Sequence, residues 1–109
     1  MAPSKYQAMW LVAMFDLPTD SRQARRHYTQ FRKHLLQEGF YMMQYSVYVR
    51  YCGSEGSAET HRRHVRAQLP DDGEVRLMAI TDHQFGKMEV YLGKKRTEVE
   101  QPPSQLLLF

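Results

Sequence analysis

The chain has 109 residues, of which 42% are hydrophobic and 25% are charged. These values are typical of one globular domain with a modest core, and they exclude a disordered or low-complexity chain. The formal net charge is +3, which favours a nucleic-acid partner only weakly. A single cysteine, Cys52, excludes an internal disulfide and is typical of a reducing cytosol, so we expect a cytoplasmic protein.

The first informative stretch is Met9–Phe15, a run of apolar residues that ends at Asp16. Continuous apolarity predicts a strand buried on both faces, and the run is too short to cross a bilayer, so we expect no membrane partner. Pro18 ends the strand, and the three residues after it are effective helix N-caps. Asp16 therefore lies at the carboxyl end of a central strand, where binding sites collect, although a simple capping role suits it equally well.

A helix is predicted from Ser21 to Glu38, ended by Gly39. One face of this helix is apolar and consists of Ala24, Tyr28, Phe31 and Leu35. Five basic residues lie largely away from that face: Arg22, Arg25, Arg26, Arg32 and Lys33. Most such surfaces are merely solvated. Here no acidic residue is present among residues 22–33, so these basic residues cannot form i,i+4 ion pairs with one another's neighbours in this segment. The pattern therefore favours an anionic partner.

The segment Phe40–Cys52 is rich in aromatic and β-branched residues, which predicts strand structure. Its length suggests a bend near Gln44–Ser46 that divides it into two short strands. Its tyrosine side chains could stack on nucleic-acid bases, but tyrosines more often pack in a core or line an interface.

A second helix is predicted from Ala58 to Leu69 and ends before Pro70. His61 and His64 stand three residues apart on it, which is a possible spacing for two metal ligands. Because no cysteine or third histidine lies nearby in sequence, the pattern favours a structural role for this pair over a zinc site.

The last elements are predicted to be a strand, a turn or helical step, and another strand, at Glu74–Thr81, Asp82–Gly86 and Lys87–Leu92. Residues 94–109 then form a basic, proline-containing tail with an apolar end. That end consists of Leu106, Leu107, Leu108 and Phe109. An apolar terminus after a polar linker either folds back on the domain or docks on a partner.

The order strand, helix, strands, helix, strand predicts an α+β, ferredoxin-like βαββαβ sandwich over residues 1–93, with one additional C-terminal strand. Helices cover only one side of such a sheet. The other side is apolar and aromatic here, and a second copy of the chain would cover it most simply, so we expect a homodimer.

Several short motifs in this order resemble the small CRISPR-associated protein of the spacer-acquisition machinery. They are Phe15–Asp16 before an arginine-rich helix, Gly39–Phe40, Gln44–Tyr48, Leu69–Pro70 with Gly73, and Thr81–Gln84. The last two resemble the subtype that accompanies a large RNA-guided effector nuclease. The resemblance covers nearly the whole chain and implies a prokaryotic protein.

The resemblance implies a homodimer in which Asp16 is catalytic, faces its two-fold mate and binds Mg²⁺. It implies a metal-dependent endonuclease for RNA or duplex DNA, and a bridge between integrase dimers that carries duplex protospacer DNA. The basic residues of the first helix would contact phosphates. The implied partners are the integrase subunit and the large effector nuclease. The resemblance also implies that the strand near Lys87–Leu92, with the tail, crosses to the partner subunit or to the integrase subunit. One carboxylate per chain makes a half-site for a hard cation.

Two other functions remain open at this stage. A ribonuclease toxin of the same fold would need an acid or base, for which His27, Tyr28 and Ser46 are candidates. An RNA-binding ferredoxin-like module would need paired exposed aromatics on adjacent central strands, whereas Trp10 and Phe15 are expected to be buried.

Overall fold

The computed structural model describes residues 7–103 and has α+β architecture. Its elements are β1 Met9–Asp16, α1 Arg22–Gln37, β2 Tyr41–Gln44, β3 Val47–Cys52, α2 Glu55–Arg66, β4 Glu74–Thr81, α3 Asp82–Gly86, β5 Val90–Leu92 and β6 Lys95–Thr97. The first four strands form an antiparallel sheet in the order β2-β3-β1-β4. This architecture confirms the predicted ferredoxin-like fold. No described helix combines the length and the apolar character needed to cross a membrane.

Strand β1 is central and buries side chains on both faces of the sheet, as its sequence predicts. On one side, here called the helix face, Leu11 and Phe15 pack against Phe31 and Leu35 of α1 and Val65 of α2. On the other side, here called the open face, lie the alternate residues of β1 from Trp10 to Asp16.

The open face is partly covered by the chain itself. The Trp10 ring stacks on Phe85 of α3 with centroids 3.9 Å apart, and its Nε1 donates a hydrogen bond to Asp82 at 2.7 Å. Met88 and Val99 pack against the same cluster. The half of this face beyond Val12, toward Asp16, is less covered: Met14 and Val47 are only partly buried, and Asp16 is exposed.

Two predicted elements shift by three residues. Helix α2 begins three residues earlier than predicted, since the Ser54 side chain accepts a hydrogen bond from the Ser57 backbone N–H. It also ends three residues before the predicted Leu69, at Arg66, with Ala67 as its C-cap. The strand predicted from Lys87 begins only at Val90, because Lys87 is the C-cap of α3. The predicted bend before β3 is confirmed as a turn at Tyr45–Ser46.

Strand β6 was not predicted. It pairs with β5 in a separate two-stranded sheet, although its sequence, Lys95-Arg96-Thr97, has little apolar content. The predicted docking segment Leu106–Phe109 lies outside the described residues, so its role stays a prediction.

Gly73 holds the turn before β4 against the end of β1. Its φ is +92°, and a Cβ there would lie 2.8 Å from the carbonyl oxygen of Asp16 and 2.7 Å from Leu17 Cδ2. The first contact is with backbone, which cannot rotate away. Only glycine therefore allows β4 to start beside Asp16.

We predict that Gly73→Ala lowers the free energy of unfolding by about 2 kcal/mol or more, because strained φ and a backbone clash add together. Chemical denaturation monitored by circular dichroism measures this difference. Gly53→Ala is the matched control, since a Cβ at Gly53 would meet nothing within 4 Å. Equal stability of the two variants would show that the close approach at Asp16 does not constrain the fold.

Candidate functional site

Asp16 is exposed at the carboxyl end of β1, on the open face of the sheet. The register places it directly opposite Glu74, the first residue of β4. Side chains of directly opposite residues share one face, with Cβ atoms roughly 5 Å apart. A second carboxylate therefore stands beside Asp16. The sequence alone does not reveal this second carboxylate, because Glu74 belongs to a different strand from Asp16.

Arg76 is the counter-ion at this end of the sheet. Its Nε donates a hydrogen bond to Glu74 at 2.9 Å, and this bond and the guanidinium charge lower the pKa of the Glu74 carboxyl. Arg76 also lies on the open face, opposite Met14. Its positive charge offsets part of the repulsion between Glu74 and Asp16.

The carboxylates of Asp16 and Glu74 are the ligand type that Mg²⁺ prefers. An octahedral ion takes six oxygen ligands, and most positions would remain for water, substrate or a second chain. The donor set therefore fits Mg²⁺ as a half-site. Each carboxylate has a fixed backbone position, because β1 is buried and β4 pairs with it along its whole length.

The turn between β2 and β3 borders Asp16 from the other side. The carbonyl of Ser46 accepts a hydrogen bond from the Phe15 backbone N–H at 3.0 Å, and Ser46 has a φ of +63°. A left-handed conformation is uncommon at residues other than glycine, and the few such residues tend to cluster at functional sites. Beside it, Tyr45 is 78% exposed, and a side-chain hydrogen bond with Tyr28 raises the pKa of Tyr45.

The three acid–base candidates of the toxin alternative do not form one group. Tyr28 packs edge-on against Phe15 and Ser46 lies in the adjoining turn. His27 instead lines a groove of about 240 Å³ together with Pro70 and Asp71. As expected, Trp10 and Phe15 are buried, so the first strand offers no stacking platform for RNA.

The five basic residues of α1 are all exposed, but they divide into two sets. Two of them form hydrogen bonds with other residues of the chain: Arg32 donates one to the Tyr48 hydroxyl at 2.6 Å, and Arg25 donates one to the Thr19 carbonyl at 3.1 Å. The other three follow an i, i+4, i+11 spacing and share one outward ridge. This basic ridge consists of Arg22, Arg26 and Lys33.

Within residues 7–103, the basic ridge makes no ion pair or side-chain hydrogen bond. Helix α2 differs, because its Glu59 pairs with Arg62 at 3.6 Å and with Arg66 at 3.4 Å. Since α1 covers the helix face, the basic ridge and Asp16 lie on opposite sides of the sheet. The fold thus separates the two predicted sites.

A third group of polar residues lies on the helix side, where the end of α1 meets α2. The Glu38 carboxylate contacts Nδ1 of His61 and, at 2.7 Å, Nδ1 of His64. Burial raises the pKa of Glu38, but hydrogen bonds with both imidazoles and their charges outweigh it, so the pKa lies below its ordinary value. The sequence indicated the histidine pair and missed Glu38, which a different helix contributes. We call this group the Glu38–His61–His64 cluster.

Comparison with known proteins identifies the family. The family described as "CRISPR associated protein Cas2" matches residues 9–88. A "CRISPR-associated endoribonuclease Cas2" of Parvibaculum lavamentivorans is 57% identical over 101 residues, which are 93% of this chain and 100% of the relative. A protein of the same name from Flavobacterium psychrophilum is 45% identical over 106 residues, covering 97% of this chain and 92% of the relative.

A third protein with this name, from Ligilactobacillus salivarius, is 40% identical over 101 residues, covering 93% of this chain and all of the relative. The matched region contains all four strands of the main sheet and both long helices. The family also answers the question that the sequence left open between a toxin, an RNA-binding module and a CRISPR-associated protein. The chain belongs to the Cas2 family of CRISPR-associated proteins.

Proposed function

We propose that this chain is an endoribonuclease that hydrolyses phosphodiester bonds of RNA, with Asp16 as its metal-binding and catalytic residue. The observation that carries the proposal is the position of Asp16, exposed at the end of a buried central strand with Glu74 directly opposite. The relatives from Parvibaculum lavamentivorans and Flavobacterium psychrophilum are both named as endoribonucleases, which agrees with this activity.

The residues fit a divalent cation, and Mg²⁺ is the one we propose. When bound, it would polarise the phosphate and favour ionisation of an attacking water. The protein's own contribution is to hold the carboxylates in place. The buried β1 fixes Asp16, Arg76 orients Glu74, and Gly73 lets β4 begin beside them.

A homodimer would complete this half-site. The less covered half of the open face ends at Asp16, and at its border Met78, opposite Val12, is 44% exposed. A second copy seated there by a two-fold axis would bring two Asp16 residues toward each other. Without a cation the two carboxylates would repel, so metal binding and association should support each other.

We propose a second role for the chain in spacer acquisition, as a bridge between CRISPR-associated integrase subunits that holds duplex DNA. The observation that favours it is the basic ridge on α1, which lies on the side of the sheet away from Asp16. A duplex can therefore bind there while Asp16 faces a partner subunit. The large effector nuclease remains a further proposed partner, and Leu106–Phe109 a proposed docking segment.

We predict that Asp16→Asn lowers the rate of Mg²⁺-dependent RNA cleavage by at least about 100-fold, because stabilisation by a bound metal is worth several kcal/mol. Asparagine keeps the size and one oxygen but removes the charge. Cleavage of a labelled single-stranded RNA, with and without chelator, measures the effect. In chelator the variant should unfold at an equal or higher temperature than the native protein, since carboxylate repulsion is removed.

Asp20→Asn is the matched control, because Asp20 is an exposed acid just past the strand end. It should cleave at the native rate. If Asp16→Asn retains native cleavage, Asp16 serves only as a cap, a role that asparagine fills equally well.

We predict that replacing Arg22 and Arg26 together with alanine weakens binding to duplex DNA and makes its salt dependence shallower. Each lost phosphate contact should reduce the slope of log K against log salt concentration by about 0.9. Fluorescence anisotropy at several salt concentrations measures both quantities.

The matched control replaces Arg62 and Arg66 of α2, which removes the same charge from two residues that Glu59 already pairs with. A smaller change in slope is expected there. Equal slopes for the two double variants would mean that net charge, and not the ridge on α1, determines DNA binding.

A further inference from the structure

We propose that the Glu38–His61–His64 cluster is a second metal site, specific for a borderline divalent cation such as Zn²⁺. A cation bound there would join the end of α1 to α2. One potential ligand atom from each of the three residues lies within 4.8 Å of the other two. Two imidazole nitrogens and one carboxylate oxygen are the donor set that Zn²⁺ takes in many proteins.

The backbone already brings the three ligands together without an ion. His61 and His64 are held at i and i+3 on one face of α2, and their rings stand 6.0 Å apart at 88°. Glu38 is the C-cap of α1, and its carbonyl accepts a hydrogen bond from Arg50 Nε at 2.8 Å, which ties the cap to β3. The ligands thus come from two elements that are fixed independently of each other.

The geometry requires only a small movement to admit an ion. In a tetrahedral zinc site, ligand atoms lie about 3.4 Å apart, since each metal–ligand bond is close to 2.1 Å. The Glu38 carboxylate now lies closer than this to both imidazoles, and no two of the three ligand atoms are more than 4.8 Å apart. Side-chain movements of about 1 Å would therefore reach the tetrahedral spacing, and the cation would take the place of the protons in these hydrogen bonds.

A fourth ligand can come from the adjoining cavity. This cavity, about 20 Å³, is lined by Glu38, His64 and His34, and its size suits one water molecule. Nδ1 of His34 is buried in the structure and has no hydrogen-bond partner among residues 7–103. A metal-bound water in the cavity would supply both the fourth ligand and a partner for His34.

This site differs from the proposed Mg²⁺ site in chemistry and in position. Its nitrogen donors select a softer cation than the carboxylates of Asp16 and Glu74 do. It lies on the helix side of the sheet and Asp16 on the open face, so the ion would stabilise the packing of the helices and would take no part in RNA cleavage. The proposal therefore stands or falls independently of the proposed function.

The test is calorimetric titration of the chelator-treated full chain with Zn²⁺, together with thermal unfolding. We expect one Zn²⁺ per chain and a rise in Tm of roughly 10 °C at one hundred times the dissociation constant. Co²⁺ in the same site should show the intense visible absorption of tetrahedral coordination. Asp16→Asn should leave all three results unchanged.

Two ligand variants make the test specific. Glu38→Gln and His64→Gln should each weaken Zn²⁺ binding by more than about 100-fold, the upper range for loss of an outer partner of a metal ligand. His83→Gln is the control, because His83 is exposed and lies outside the cluster. His64 is itself more than half exposed, so its replacement should preserve the fold.

A cluster that is only a hydrogen-bonded clamp between helices would give a different pattern. Glu38→Gln would then lower Tm, but Zn²⁺ would not raise the Tm of the native chain. That result, or Zn²⁺ affinity that survives in both ligand variants, would overturn the proposal.

Discussion

The structure depends on the burial of β1 from both sides. Two long helices cover one face of this strand, but a ferredoxin-like sheet has no helix layer for the other. The chain covers half of that second face itself, by stacking Phe85 on Trp10 and fastening α3 to the indole through Asp82. Such a stacked pair contributes roughly 1 kcal/mol beyond its buried area. The remaining half ends at Asp16.

This division of the open face explains why the proposed site is at one end of the sheet. Where α3 packs, the face is closed and apolar. Where α3 ends, the side chains become Asp16, Glu74 and Arg76, which are charged and exposed. The same strand therefore anchors the core at its beginning and presents a carboxylate at its end. The opposite side of the sheet carries the basic ridge and the Glu38–His61–His64 cluster, so that the proposed nucleic-acid contact and the helix packing stay separate from the proposed chemistry.

Local sequence patterns predicted the elements well. The apolar run of β1, the Ser21 cap and Gly39 placed the first strand and helix within a few residues, and β4 was correct at both ends. These predictions were correct because hydrophobic periodicity and capping depend on a few neighbouring residues. Strand β6 could not be predicted from such patterns, because it pairs with β5 and all three of its residues are exposed.

The sites were harder to predict because they depend on contacts between distant segments. Asp16 could be selected from its place after β1, but Glu74 reaches it only through the register of β1 with β4. The histidine pair was visible on α2, but its third member is the C-cap of another helix. Arg32 was grouped with the other cations by its spacing, whereas its bond to Tyr48 follows from helix–sheet packing. Register and packing are tertiary properties that no short motif encodes.

We propose that a second copy covers the half of the open face that ends at Asp16. Sedimentation equilibrium of the full chain at micromolar concentration, in the presence of Mg²⁺, tests this arrangement. We expect a mass twice that of the 12.9 kDa chain. A monomer throughout that concentration range would contradict it, because Asp16 would then lack the partner that completes its site.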